Sequence, residues 1–360
     1  MINPFQITKP VDPVDVIDRE EEDSQIRALA EEGNNVRLIA PRRYGKTSLL
    51  RRAQARLAEE WTTVYVDLLG IVTLDDFAAR IERAYTEELK GSVAKWFLAL
   101  RRTLKPTLTL GGGPVPASGS VDLSSSVKQA VVERLDLPAK VYEKTGTRVH
   151  IVFDEFQELD ALGSNADAIV RSVIQHHGDA ASYVFAGSQL HMMEMMFTDR
   201  RRAFYGQTQR VSLNPLDPVS LADFVSTRFA QTGKEIMPAA LDELLGLVDG
   251  HPQRAMLAAH SLWDVTDEHA DLEEWETCRD AIMDAVDDEV RGLWLDLSVT
   301  ERQVLSSVAR DKGPYHRGGP GSRGGAITNA LETLTNRGVL LQGKESWIVV
   351  DPLLRVWVRT

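Results

Sequence analysis

The run VRLIAPRRYGKTSLLRRA, Val36 to Ala53, sets a glycine, a lysine and two hydroxyls between an apolar stretch and a basic amphipathic one. Those types in that order can hold phosphate. Gly45 lets backbone N–H groups curl around an anion without a Cβ in the way. Lys46 is long enough to reach the outer phosphates, and the Thr47 hydroxyl can ligate Mg²⁺. A helix starting at this point adds about half a positive charge facing the anion. Pro41, Arg42, Arg43, Tyr44, Gly45, Lys46, Thr47 and Ser48 therefore form the candidate phosphate loop. It matches G-x-x-x-x-G-K-[ST] except that Ala40 holds the first glycine position.

A phosphate loop used for chemistry needs a carboxylate at a neighbouring strand end. RVHIVFDEF supplies one, with Asp154 and Glu155 following Val149, Ile151, Val152 and Phe153. Asp154 is the candidate support for Mg²⁺, and Glu155 the candidate group that orients or deprotonates an attacking water. At the end of YVFAGS, Ser188 is placed to touch a terminal phosphate or that water; a simple turn is the other reading. Arg200, Arg201 and Arg202 are candidates for a transition-state arginine, or a solvated basic turn, and Arg202 is the one retained. Tyr44 either stacks on the ligand or sits at the surface. His176 and His177 adjoin on a helix and point apart, which argues against a metal site. The Met-rich HMMEMMF reads as core or lid packing, with an adaptable partner surface as the other reading.

Around these residues, strand and helix patterns alternate. VRLIA, TTVYVDLL, RVHIVFDEF and ASYVFAGSQ read as strands. GKTSLLRRAQARLAEE reads as a helix, and TLDDFAARIERAYTEEL as another with Thr73 as its N-cap. Strands separated by helices imply a parallel sheet with crossovers. Thr107–Ser126, rich in Gly, Pro and Ser, reads as a hairpin or flexible loop inserted between helices. After Pro218 come three helix patterns, then an acidic helix, then two helices and the hairpin VLLQGKESWIVVDP joined at Gly343-Lys344. Two helices followed by a hairpin is the winged-helix pattern. The expected divisions are 1–215 for an α/β core, 216–288 for a helical lid and 289–360 for a winged helix.

Hydrophobic residues at 43% and charged residues at 26% are ordinary for a soluble globular chain. The single cysteine, Cys278, excludes an internal disulfide and a multi-cysteine zinc site. With no signal-like start and no apolar run of the roughly 20 residues needed to span a bilayer, the expected location is cytoplasmic, with no membrane partner. A net charge of −12 argues against nonspecific coating of nucleic acid. Residues 291–360, however, carry 10 Lys+Arg against 6 Asp+Glu. DNA contact there stays open, through Asn329, Thr333, Asn336 and Arg337 on the second helix and Arg317 and Arg323 in YHRGGPGSRGG.

Together these segments resemble the archaeal-type ATPases of the STAND class, relatives of AAA+ proteins. The resemblance runs from NPF at Asn3–Phe5 and DREEE at Asp18–Glu22 through PRRYGKTSLL, IVFDEFQEL, FAGSQLHMMEMM, AFYGQ, LNPLDP and GHPQR to DPLLRVWVR. It implies a P-loop NTPase sheet, a lid and a winged helix whose last segment, DPLLRVWVR, is a closing strand. It also implies ATP or ADP with Mg²⁺, Arg19 near the adenine and Pro252 in the lid signature. Asp18 stands where the family often has glycine, and Gln207 where it often has arginine. If that arginine senses nucleotide, either Arg202 substitutes or hydrolysis is slow. Pro252 stands near a common sensor-arginine position, with Arg254 two residues on. The expected function is a hydrolysing nucleotide switch with a nucleotide-dependent homo-oligomer and an unidentified protein partner. The rivals are a DNA-associated AAA+ ATPase of initiator or transposition-helper type, and a non-hydrolysing ADP-bound module.

Overall fold

The computed structural model describes residues 2–104, 123–163, 165–314, 324–343 and 346–360. In chain order the first half contains α1 (Glu20–Glu31), β1 (Val36–Ile39), α2 (Lys46–Leu57), β2 (Thr62–Asp67), α3 (Leu74–Glu88) and α4 (Gly91–Arg101). There follow α5 (Leu123–Leu135), α6 (Leu137–Thr145), β3 (Val149–Asp154), α7 (Glu158–Ala161), α8 (Ala166–Ile174), β4 (Ala181–Gly187), α9 (Leu190–Thr198) and β5 (Gln209–Ser212). The expected hairpin or loop at Thr107–Ser126 falls mostly outside the described residues, and α5 begins at Leu123. The expected Thr73 cap is present: its hydroxyl accepts from the Asp76 N–H at 3.1 Å.

The five strands pair in the order β2-β3-β4-β1-β5, and every pair is parallel. Parallel strands put all their carboxyl ends on one edge. The loop after β1 and the acid pair after β3 therefore meet there, flanking the end of β4. Every residue of β3 and β4 is buried, as expected of parallel strands covered on both faces. Side chains alternate between two layers. Tyr183 and Phe185 of β4 join the α3, α5, α8 and α9 side, while Val184 and Ala186 join the α1 and α2 side. β5 was not expected from the sequence; it is an edge strand with only Val211 buried.

The second half contains α10 (Pro218–Gln231), β6 (Glu235–Ile236), α11 (Pro238–Val248), α12 (Pro252–Val265), β7 (His269–Ala270) and α13 (Leu272–Leu295). It ends with α14 (Val299–Ala309), α15 (Gly324–Asn336), β8 (Leu340–Gln342), β9 (Trp347–Val349) and α16 (Pro352–Arg359). Most of the arm YHRGGPGSRGG, including Arg317 and Arg323, lies outside the described residues. One continuous apolar core runs from Leu216 to Val358 and includes Phe5 from the N-terminal segment. Helix α13 crosses the division expected at 288/289; its buried stripe of Trp275, Cys278, Ile282, Val286 and Val290 serves both sides. The closing segment DPLLRVWVR is a helix, not the strand expected from the resemblance. The Asp351 carboxylate accepts from the Leu353 N–H at 2.9 Å, Pro352 takes the first helical position, and Leu353, Leu354 and Val358 face the core.

Beneath the sheet edge, Phe153, Phe156, Phe185, Phe197 and Phe204 pack together. The Phe156 and Phe185 ring centroids are 4.5 Å apart, and those of Phe185 and Phe204 are 5.0 Å apart. Phe185→Ala should cost about 3–5 kcal/mol, the range for deleting a buried ring, measured by urea unfolding.

Candidate functional site

The chain leaves β1 at Ala40 and enters α2 at Lys46 through two left-handed residues, Arg43 at φ 65° and Gly45 at φ 83°. Glycine carries the second without strain. The Lys46 side chain folds back over the loop, its ammonium donating to the Ala40 and Pro41 carbonyls at 3.0 Å each. It is buried, and burial pushes its pKa below the ordinary lysine range against the pull of Glu155 and Asp154. Arg42, Arg43, Tyr44, Gly45, Lys46, Thr47 and Ser48 line one end of a cavity of about 470 Å³. It is also lined by the N-terminal segment Gln6–Val11 and by Ile17, Arg19, Leu216, Pro252 and Met256. Pro41 contributes only its carbonyl to Lys46. Arg19 is buried and anchored on the Asn214 carbonyl at 2.7 Å.

The acid pair is split by a turn. Asp154 ends β3, and Glu155 adopts a left-handed conformation at φ 52°. The Asp154 Oδ2 accepts from the Thr47 hydroxyl at 3.2 Å and from the Tyr65 hydroxyl, while Oδ1 accepts from the Glu155 N–H at 3.0 Å. Burial raises the Asp154 pKa above its ordinary range, and the Tyr65 hydrogen bond opposes that. Glu155 turns instead toward the end of β4. Its Oε2 accepts from the Ser188 hydroxyl at 2.7 Å, from the Ser188 N–H at 3.3 Å and from the Gln157 amide. Glu155 also lines the cavity.

Lys46, Thr47, Asp154, Glu155 and Ser188 are thus brought together at one sheet edge. The Thr47 and Asp154 oxygens form a hard-donor pair at the mouth of α2. That suits Mg²⁺, which takes one or two protein oxygens together with phosphate and water. Among the described residues no group of three or more His, Cys, Asp or Glu could hold a metal by itself. Arg202 is not among the cavity-lining residues; it pairs with Asp160 at 2.6 Å and Asp167 at 3.1 Å. Gln207 accepts from Arg171 at 2.7 Å. Tyr44 is buried, with its ring edge-on to His251 at 5.0 Å between centroids. Sequence reasoning missed Tyr65 and Gln157. Both roles depend on strand register and on a turn that no local pattern announces.

The back of the loop meets the second half of the chain. Arg43 pairs with Glu289 of α13. Arg254 is not among the cavity-lining residues, and its Nε lies 3.1 and 3.0 Å from the Asp351 oxygens. It also reaches Glu289 at 3.4 Å. His251 accepts from the Arg254 N–H at 3.3 Å, capping α12. Arg42, Arg43, His251, Glu289, Arg337 and Asp351 border a smaller cavity of about 330 Å³ at this junction.

No protein-family model matches this chain, and none of the curated proteins compared with it matches. Solved structures do. The chain is similar to the Walker-type ATPase PABY2304 of Pyrococcus abyssi over 99% of both chains, with TM-score 0.72 and 18% identity. It is similar to the ORC2 protein of Aeropyrum pernix, solved with ADPNP and ADP, over 99% of this chain and 93% of that one, with TM-score 0.61 and 14% identity. It is also similar to the RuvB Holliday junction branch migration motor of Thermotoga maritima over 96% of each chain, with TM-score 0.51 and 15% identity. The chain has the P-loop NTPase fold. Among the described residues no helix is long and apolar enough to cross a membrane.

Burial pushes the His251 imidazole down to about 4, and His150, whose Nδ1 lies 2.8 Å from the Ser182 hydroxyl, also to about 4. Both bind a proton more readily unfolded than folded. The stability they preserve is complete above the unfolded pKa near 6.5 and is lost as pH falls from there toward 4. His251→Asn keeps a capping side chain and should flatten part of that loss. Urea unfolding at pH values spanning this window checks it; an unaltered slope would remove His251 from the titration.

Proposed function

We propose that this chain is an ATP-hydrolysing nucleotide switch of the AAA+/STAND type. The observation that carries the reading is the convergence of Lys46, Thr47, Asp154, Glu155 and Ser188 at one sheet edge, where Lys46, Thr47 and Glu155 line a cavity of about 470 Å³, within the size range of small-ligand and cofactor sites. Gly45 and Lys46 would hold the phosphates, and Val11, Ile17, Leu216 and Met256, with Arg19 and Pro252, would receive the base. Thr47 and Asp154 would hold Mg²⁺, which neutralises phosphate charge when bound. Glu155 takes a proton from water as the water oxygen bonds to the γ-phosphorus and the bond to the ADP oxygen breaks. The products are ADP and inorganic phosphate.

Movement is coupled through the loop's reverse side. Arg42 and Arg43 are drawn toward the phosphates, and each step of Arg43 toward the anion weakens its pairing with Glu289 on α13. The lid and the C-terminal helices with their hairpin, read as a winged helix, then shift together on their shared core. A nucleotide-dependent homo-oligomer and an unidentified protein partner belong to this reading, which places the protein in the cytoplasm; Arg202, held outside the cavity, is the candidate to act on a neighbouring copy. A second reading, a DNA-associated ATPase, is favoured by the basic balance of residues 291–360 and is separated from the first by DNA-stimulated turnover.

Lys46→Ala should abolish stabilisation by ATP·Mg²⁺ in thermal unfolding. Glu155→Gln should keep ATP binding and lower phosphate release by about 10²-fold or more. Equal ligand stabilisation of wild type and Lys46→Ala would sink the phosphate-loop assignment. A wild type that binds nucleotide without turning it over would leave a binding module.

A further inference from the structure

We infer that Gln157 is a positioning residue for the reaction, aiming the Glu155 carboxylate at the attacking water; this rests on the hydrolytic reading above. The Glu155 carboxylate is held at one oxygen only. Its Oε2 receives the Ser188 hydroxyl, the Ser188 N–H and the Gln157 amide. Among the described residues Oε1 makes no hydrogen bond, and Glu155 lines the cavity. A carboxylate gripped at one oxygen by donors from two directions cannot rotate, so its other oxygen keeps one heading.

The amide orientation at Gln157 follows from the chemistry. A carboxylate oxygen accepts, so the facing group must be the Nε2 donor, and Oε1 points the other way. Gln157 is 1% exposed, and its Oε1 is buried with no hydrogen-bond partner among the described residues. An orphaned buried acceptor is costly, so a side chain chosen only for packing would be apolar here. The site gives the amide just enough room. A Cβ added to Gly187, the last residue of β4, would lie 2.2 Å from Gln157 Oε1 and 2.5 Å from Met193 Sδ. Gly187 does not have positive φ, so its missing side chain serves this close approach and not a backbone conformation. Gly187, Gln157 and Glu155 form one chain of contact from strand end to reacting carboxylate.

The test is a double-substitution cycle with ATP affinity and single-turnover hydrolysis as separate readouts. Gln157→Met keeps the volume and loses the donor. It should lower the hydrolysis rate about tenfold or more, the scale of a misplaced reacting group, with ATP affinity changed less than about twofold. In the Glu155→Gln background the same change should have no further effect. Gly187→Ala should reproduce the rate loss by displacing the amide. If Gln157→Met does not fold, Gln157→Asn carries the test, since it keeps an amide and loses the reach. An unchanged rate overturns the inference. So does a loss of affinity matching the loss of rate, or an equal loss in the Glu155→Gln background; either would mean a merely structural role. If the wild type does not hydrolyse ATP, or if Glu155→Gln hydrolyses it at the wild-type rate, the reading of Glu155 as the base falls and takes this inference with it.

Discussion

The left-handed turn at Glu155 is the constraint from which the site's geometry follows. Such a conformation costs a non-glycine residue roughly 1–2 kcal/mol, and here it is over-determined. The Glu155 N–H is bound to Asp154, the Phe156 N–H donates to the Ala186 carbonyl at 2.8 Å, and the Phe156 ring is locked in an aromatic cluster. Two neighbouring carboxylates that would share one strand end are thereby sent apart. Asp154 goes to the hydroxyls of Thr47 and Tyr65, and Glu155 goes to the end of β4. One side of the pair suits a cation and the other a proton, although they are consecutive in the chain.

Electrostatics explains why the arrangement suits an anion. Lys46 is buried with carbonyls for partners, and burial disfavours its charge. A phosphate entering between Lys46, the loop N–H groups and the start of α2 replaces weak dipoles by a full opposite charge. The same loop carries Arg43 on its outer side, bound to Glu289. The outer side of the loop thus meets α13, a helix of the second half of the chain.

The sheet was legible where burial is complete. β3 and β4 read as largely apolar runs, broken only by His150 and Ser182 before the strand ends, because both faces are covered. β5 was not, because an edge strand with one buried residue, Val211, has no apolar period to detect. The terminal segment misled for a related reason. Val356 and Val358 alternate with Trp357 and Arg359 like a strand, but Asp351 and Pro352 start a helix, and Leu353, Leu354 and Val358 give it a buried face. At the site, Gly45, Lys46, Thr47, Asp154 and Glu155 could be found because their types and order are dictated by the anion they suit. Tyr65 and Gln157 could not. One acts through the register that sets Asp67 beside Asp154, the other through a turn of backbone.

Arg254 and Asp351 bear on how the molecule can be divided. Arg254 is 1% exposed in the first turn of α12, and Asp351 comes from near the end of the chain. Removing Asp351 would leave that buried guanidinium with only its longer contact to Glu289, at 3.4 Å, to offset its charge. The last stretch of the chain is thus a keystone and not an appendage. A fragment cut before it would inherit a fault in its own interior.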